Sequence, residues 1–173
     1  LADEASITRQ TFTYKTFDQT TNHLQADVYR SADDKVSPVI IFIHGGALMM
    51  GGRGQSTKPG SLFDVLLKAG YAVVSIDYRL APHVKLPAIL EDLQDACKWV
   101  HEKGPALFHI NPERMYVMGQ SAGGYLTQVA GYRVAPRAGA GGPGRVPAGS
   151  RAPGAVRRRR GGPRVGHEHG PAR

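Results

Sequence analysis

The chain is poor in cysteine. Cys97 has no second thiol to pair with, so a disulfide-stapled fold is excluded. It sits in an amphipathic helical pattern beside Trp99 and Val100, the setting of an inert core thiol rather than of a nucleophile. Long apolar runs are also missing. No window reaches the ~18 apolar residues expected of a membrane-spanning helix. The opening residues from Leu1 on are polar and mixed in charge, without the pattern of a secretory leader. The expected compartment is therefore the cytoplasm, although the lack of an initiator Met points to a trimmed start. No internal repeat is visible.

Net positive charge is absent from most of the chain, despite a formal total of +8. Residues 1–132 hold 12 Lys and Arg against 13 Asp and Glu, whereas residues 133–173 hold 10 Arg against one Glu. The basic balance belongs to the last segment and says nothing about the partners of the rest. In that segment 33 of 41 residues are Gly, Ala, Pro or Arg, and Leu, Ile and aromatic residues are missing. Such a composition buries too little apolar area to offset chain entropy. Residues 1–132 are thus expected to form the folded domain and 133–173 a disordered tail. The change is abrupt, as out-of-frame translation of GC-rich DNA would make it.

What is present before residue 133 is orderly. Residues 7–17 and 24–29 alternate apolar or aromatic with polar, the period of half-buried strands, and the turn-like Asp18–Asn22 between them predicts an antiparallel hairpin. Val39–Ile43 is apolar without alternation, as is Tyr71–Ile76; such runs read as strands buried on both faces. Ser61–Gly70 has helical spacing with a glycine stop. Pro87 opens a second helix, with Leu90, Leu93, Cys97 and Val100 on one face, which Gly104-Pro105 is expected to end near Lys103. Asn111–Arg114 reads as a turn, and Arg114–Met118 as the next strand. Strands alternating with helices in this way predict a parallel sheet with right-handed crossovers.

Ligands of such sheets bind at the carboxyl ends of the strands. Three polar or glycine-rich stretches fall there: His44-Gly45-Gly46-Ala47, Asp77-Tyr-Arg-Leu-Ala-Pro82, and Gly119-Gln-Ser121-Ala-Gly123-Gly124. The last has an apolar strand before it and a helix-compatible run after it. That context gives Gly-x-Ser-x-Gly its meaning, a sharp turn presenting the serine hydroxyl. Small residues are needed at Gly119 and Gly123 because strand and helix pass too closely for a Cβ. Acyl transfer to serine requires a presented hydroxyl, a base and donors for the oxyanion. Ser121 supplies the first. The N–H of Ala122 and the Gly45-Gly46-Ala47 loop are natural donors. The plain alternative for the glycine-rich loop is a flexible connector.

Together these three motifs, over about residues 7–132, resemble the α/β-hydrolase fold. More narrowly they are similar to the hormone-sensitive-lipase-like carboxylesterases. The resemblance implies an α/β fold: a three-layer α/β-hydrolase-type sheet with an N-terminal antiparallel hairpin, truncated after the nucleophile elbow. It implies hydrolysis of a small-molecule carboxylic ester without cofactor or metal. By motif position Ser121 corresponds to the nucleophile and Gly46, Ala47 and Ala122 to the oxyanion donors. His44 and Gly45 support the loop, and Gly119 and Gly123 form the elbow. Ala47 departs from the usual third glycine, so its Cβ narrows the loop.

In this fold the triad acid and histidine follow the serine. Here the later candidates are His167, Glu168 and His169, with no strand before them. As a metal site that cluster lacks fixed geometry. His83, His101 and His109 lie upstream, and Asp77, Glu91, Asp92 and Asp95 read as structural or solvated charges. The base is expected to be missing and activity to be weak. Two other readings stand beside this one. One is a non-catalytic hydrolase-like binding protein. The other takes Arg157–Arg160 as a nucleic-acid or anionic-surface binder, which the lack of stacking aromatics in the tail disfavours.

Overall fold

A computed structural model describes residues 6–17 and 22–133 of the chain, the last four of them as backbone only. The expected tail from residue 134 onward, with His167, Glu168, His169 and Arg157–Arg160, lies outside the described residues. Eight elements follow in order: β1 (Ile7–Thr16), β2 (His23–Ser31), β3 (Ser37–Ile43), α1 (Leu62–Lys68), β4 (Ala72–Ile76), α2 (Leu86–Phe108), β5 (Ile110–Gly119) and α3 (Ala122–Arg133).

The strands form one sheet in the order β1-β2-β4-β3-β5. β1 and β2 make the antiparallel hairpin, with Arg9 opposite Tyr29 and Thr11 opposite Asp27. β2 then pairs antiparallel with β4, while β4, β3 and β5 run parallel. The sheet is mixed, and β4 separates β2 from β3 although it follows them in the chain. The buried β3 and β4 sit centrally, as their unbroken Val and Ile content predicts.

Helices cover both faces. On one, Leu93, Ala96, Cys97 and Val100 of α2 and Leu126 of α3 pack on Val28, Ile41, Ile43, Val74 and Ile76. On the other, Phe63 and Leu67 of α1 pack on Tyr29, Phe42 and Val73, with the Phe63 ring edge-on to both aromatics at 5.1 Å. α1 begins where Ser61 accepts from the Asp64 N–H, and Asp64 in turn accepts from Gly60 N at 2.8 Å. These bonds satisfy amides that a helix start leaves free.

Three local expectations change. The helix from Pro87 does not stop at Gly104-Pro105; α2 runs on to Phe108, with His109 capping it at φ +51°. Burial of Phe108, whose ring lies 5.8 Å from Phe12 and 5.6 Å from Trp99, outweighs the proline. Gly104 is needed there because a Cβ would meet Ile110 at 2.9 Å. Second, Asn111–Arg114 lies inside β5, as an irregularity between Ile110 and Met115. Its turn chemistry survives, since Asn111 Oδ1 accepts from Glu113 N at 2.9 Å. Third, β2 is buried on both faces, not one. The segment after β3 folds over its polar side, so Asp27 is fully buried and Tyr29 Oη meets Gln55 N at 3.2 Å.

Candidate functional site

The carboxyl ends of β3, β4 and β5 bring the three motifs to one rim. Ser121 stands between β5 and α3, exposed and at φ +53°. Few non-glycine residues adopt that conformation, and it persists only where neighbours enforce it. The enforcement is visible. Gln120 N donates to Ile43 O at 3.3 Å, and Gly123 N donates to Gln120 O at 2.9 Å. A Cβ on Gly119 would fall 2.2 Å from the Gly123 carbonyl oxygen. Strand and helix therefore meet at van der Waals limit, with room for glycine alone.

The His44-Gly45-Gly46-Ala47 loop runs beside this turn. A Cβ on Gly45 would lie 2.8 Å from the Gln120 oxygen and 3.2 Å from the Ser121 Cβ. Gly46, Ala47 and Leu48 then follow at φ +107°, +53° and +64°. For alanine and leucine the left-handed region costs about 1–2 kcal/mol per residue. Met49 N and Met50 N both donate to Gly46 O at 3.0 Å, and Ala81 N donates to Leu48 O at 2.8 Å. Among the described residues, no backbone acceptor takes the N–H of Gly46, Ala47 or Ala122. Ala122 is the first residue of α3, where helix N–H groups have no partner within the helix.

His44 lies under the loop. Its ring stacks on Tyr78 at 4.3 Å, its Nδ1 is 2.7 Å from the Gly45 oxygen, and its own carbonyl accepts from Tyr78 Oη at 2.9 Å. Burial pushes its imidazole below the ordinary histidine value, against the raising effect of the Gly45 carbonyl and Asp77. Burial likewise pushes the Tyr78 hydroxyl up to about 12.

Sequence reasoning missed the ionic layer next to the loop. Arg53 reaches Asp77 at the end of β4 and Asp27 in β2. Burial acts to raise the Asp27 carboxyl, but hydrogen bonds from Thr11 and Arg9 and the Arg53 guanidinium outweigh it, so it titrates below the ordinary range. A signal existed: Asp27 is an acid inside an otherwise strand-forming run. On the other face Asp92, also fully buried, accepts from Lys15 and from Arg79, whose Nε lies 2.8 Å from Oδ2. Asp77 and Asp92 are thus pinned by cations, as structural charges.

A cleft of about 800 Å³ lies elsewhere, lined by Ser31, Ser37, Asp64, Lys68 and Gly70 near the amino ends of β3 and β4. It holds none of the motif residues. Among the described residues no group of three or more His, Cys, Asp or Glu is placed to hold a metal ion. No described helix is long and apolar enough to cross a membrane.

The BD-FAE family model matches residues 26–138. Over 101 residues the chain is 38% identical to Esterase LipI of Mycobacterium tuberculosis, a match covering 58% of this chain and 31% of that protein. It is 34% identical over 134 residues to the non-reducing polyketide synthase stbA of Stachybotrys bisbyi, covering 73% of this chain and 6% of the synthase. An esterase structure from Pyrobaculum calidifontis superposes with a TM-score of 0.60 at 32% identity, covering 73% of this chain and 40% of that one. The chain therefore spans well under half the length of each of these proteins.

Proposed function

This chain belongs to the BD-FAE family, hormone-sensitive-lipase-like carboxylesterases of α/β-hydrolase fold, of which it carries the N-terminal part; on that premise we propose that it holds the nucleophile half of an ester-hydrolysing site. The observation carrying this reading is the approach of Gly45 to the exposed, left-handed Ser121. The Ser121 hydroxyl attacks the ester carbonyl, and a base removes its proton. Charge moves to the carbonyl oxygen, where the N–H groups of Gly46, Ala47 and Ala122 receive it. Collapse expels the alcohol and leaves an acyl-serine for water to cleave. Each amide donor of this type is worth about 2.7–4 kcal/mol in the transition state.

His44 is not the base in this reading. Its Nδ1 is engaged with the Gly45 carbonyl and its ring is buried against Tyr78. Among the described residues no imidazole hydrogen-bonds Ser121. In this reading the described residues supply the nucleophile and the donors but no base, and on their own they give weak activity or none. Catalysis by donors and binding alone still exceeds the uncatalysed rate by about 10³–10⁴ where the triad is broken. In this reading the Ala47 Cβ narrows the donor loop and changes the acyl-group preference.

Hydrolysis of p-nitrophenyl acetate and butyrate by the purified chain, beside Ser121→Ala, tests this. Release above background by the parent and not by the variant supports it; equal rates overturn it. An organophosphonate that labels Ser121 reports activation of the hydroxyl without requiring turnover. For residues 133–173, rich in Gly, Ala, Pro and Arg, we propose a sequence read in a shifted frame. Family sequence emerging from the coding DNA after a one-base shift near residue 132 would support a frame error as its origin. An uninterrupted frame in the transcript would exclude one.

A further inference from the structure

The loop that carries Gly46 and Ala47 leaves β3 at Ile43 and returns at Gly51–Arg53. Its outer part is strained, with Ala47 and Leu48 both left-handed. Strain of this kind persists only when the ends are fixed. The leaving end is fixed by β3 and by the stacked His44. The returning end carries one charged anchor. Arg53 N donates to Asp77 Oδ1 at 3.0 Å and its Nη1 pairs with Asp77 Oδ2. Its Nε donates to Asp27 Oδ1 at 3.1 Å and its Nη2 to Gln25 Oε1 at 2.8 Å. One guanidinium thus bridges β2 and the end of β4.

The carboxylates are themselves held. Asp27 is fully buried and accepts from Thr11 Oγ1 at 2.7 Å and Arg9 Nη2 at 2.6 Å, which fixes where Arg53 must come. Two residues before the anchor, Gly51 presses on the leaving end. A Cβ there would stand 2.5 Å from His44 Nδ1 and 2.7 Å from the Gly45 oxygen. A shift of the returning end is therefore transmitted through Gly51 to His44 and Gly45, and so to the two amides beyond.

We propose that Arg53 is a positioning residue: clamped between Asp77 and Asp27, it sets where the Gly46 and Ala47 N–H groups stand beside Ser121. This rests on the role given above to Ser121 and those amides. The planar fork matters, because three side-chain nitrogens reach three different acceptors. Lysine offers a charge without that geometry. Other ties of the loop do not involve Arg53 and survive a change at position 53: Met49 N and Met50 N to Gly46 O and Ala81 N to Leu48 O along the backbone, and the side chains of Tyr78 to His44 O and Gln55 to Gly52 O.

The test uses the full chain with Arg53→Met, Arg53→Lys and Asp27→Asn, read by amide hydrogen exchange and by an organophosphonate probe. Arg53→Met is expected to raise exchange across residues 44–52 roughly tenfold, with β3 and β4 peptides as protected as in the parent. Arg53→Lys should fall between the two, and Asp27→Asn should loosen the same segment. Labelling of Ser121 should slow roughly hundredfold in Arg53→Met, the scale of a misplacement near 1 Å. Unchanged protection at 44–52 in both Arg53→Met and Asp27→Asn overturns the proposal. So does loss of protection throughout the strands in both, which would make Arg53 a folding residue. If the parent is never labelled, the role of Ser121 fails, while the exchange result still decides Arg53.

Discussion

Gly123, in the first turn of α3, lies against the carbonyl of Ile43 at the end of β3: a Cβ on it would stand 2.1 Å from the Ile43 oxygen and 2.7 Å from the His44 oxygen. The helix after the serine thus rests directly on the strand that launches the donor loop. Both neighbours are backbone and cannot swing aside. Gly123→Ala should therefore destabilise the chain by about 2–3 kcal/mol, the upper range for overpacking. Gly124→Ala should stay within about 1 kcal/mol, because its Cβ would approach Gly119 O at 3.3 Å while alanine gains roughly 1 kcal/mol of helix propensity. Gly54→Ala, with nothing within 4 Å, is the control. Urea unfolding of the three variants separates these outcomes.

The Tyr78 hydroxyl donates to the carbonyl of His44 in a buried setting. Tyr78→Phe keeps the ring stack and removes the donor, leaving a buried carbonyl short of a partner. A loss of about 1–3 kcal/mol is expected. Urea midpoints of parent and variant at one pH measure it.

His44 makes stability depend on pH. Burial holds its imidazole below the ordinary histidine value, so between the two values the unfolded chain binds more protons than the folded one. Its contribution is full above about 6.5 and is lost as pH falls from there toward the lower folded value. Urea midpoints should therefore drop between pH 7.5 and pH 5, before the carboxylates titrate. A flat profile over that range would show that His44 is hydrated in the folded chain.

Cys97 is buried, and burial pushes its thiol up to about 12. The folded chain should show no reaction with a disulfide reagent at pH 8 on the timescale of minutes, and one thiol per chain once unfolded in guanidinium. Rapid reaction in buffer alone would mean that the packing of α2 on the sheet opens readily.

Phe108 closes the aromatic group formed with Phe12 and Trp99. Phe108→Ala should cost about 3–5 kcal/mol. It should also lower helix content at the end of α2, since burial of this ring is what carries the helix past Pro105. Circular dichroism beside urea unfolding tests both parts.

The three rim motifs were legible because each carries its own local physics. Val39–Ile43 announces a strand buried on both faces, and the glycines on either side of Ser121 announce a close crossing before any contact is known. The partners of Arg53 were not legible. They lie 24 and 26 residues away, at Asp77 and Asp27, on strands that no local pattern brings together. The end of α2 is not legible either, because Gly104-Pro105 carries a strong stop signal, while the burial of Phe108 that overrides it depends on Phe12, far off in β1.

By itself the sequence determined the alternation of strands and helices, the antiparallel hairpin and the serine turn, all set by periodicity and backbone freedom within a few residues. Tertiary structure alone decided that β4 separates β2 from β3, that Asp27 is buried, and that a guanidinium clamps the returning loop. Strand order and ion pairing depend on which distant surfaces can be desolvated together, and no run of neighbouring residues records that.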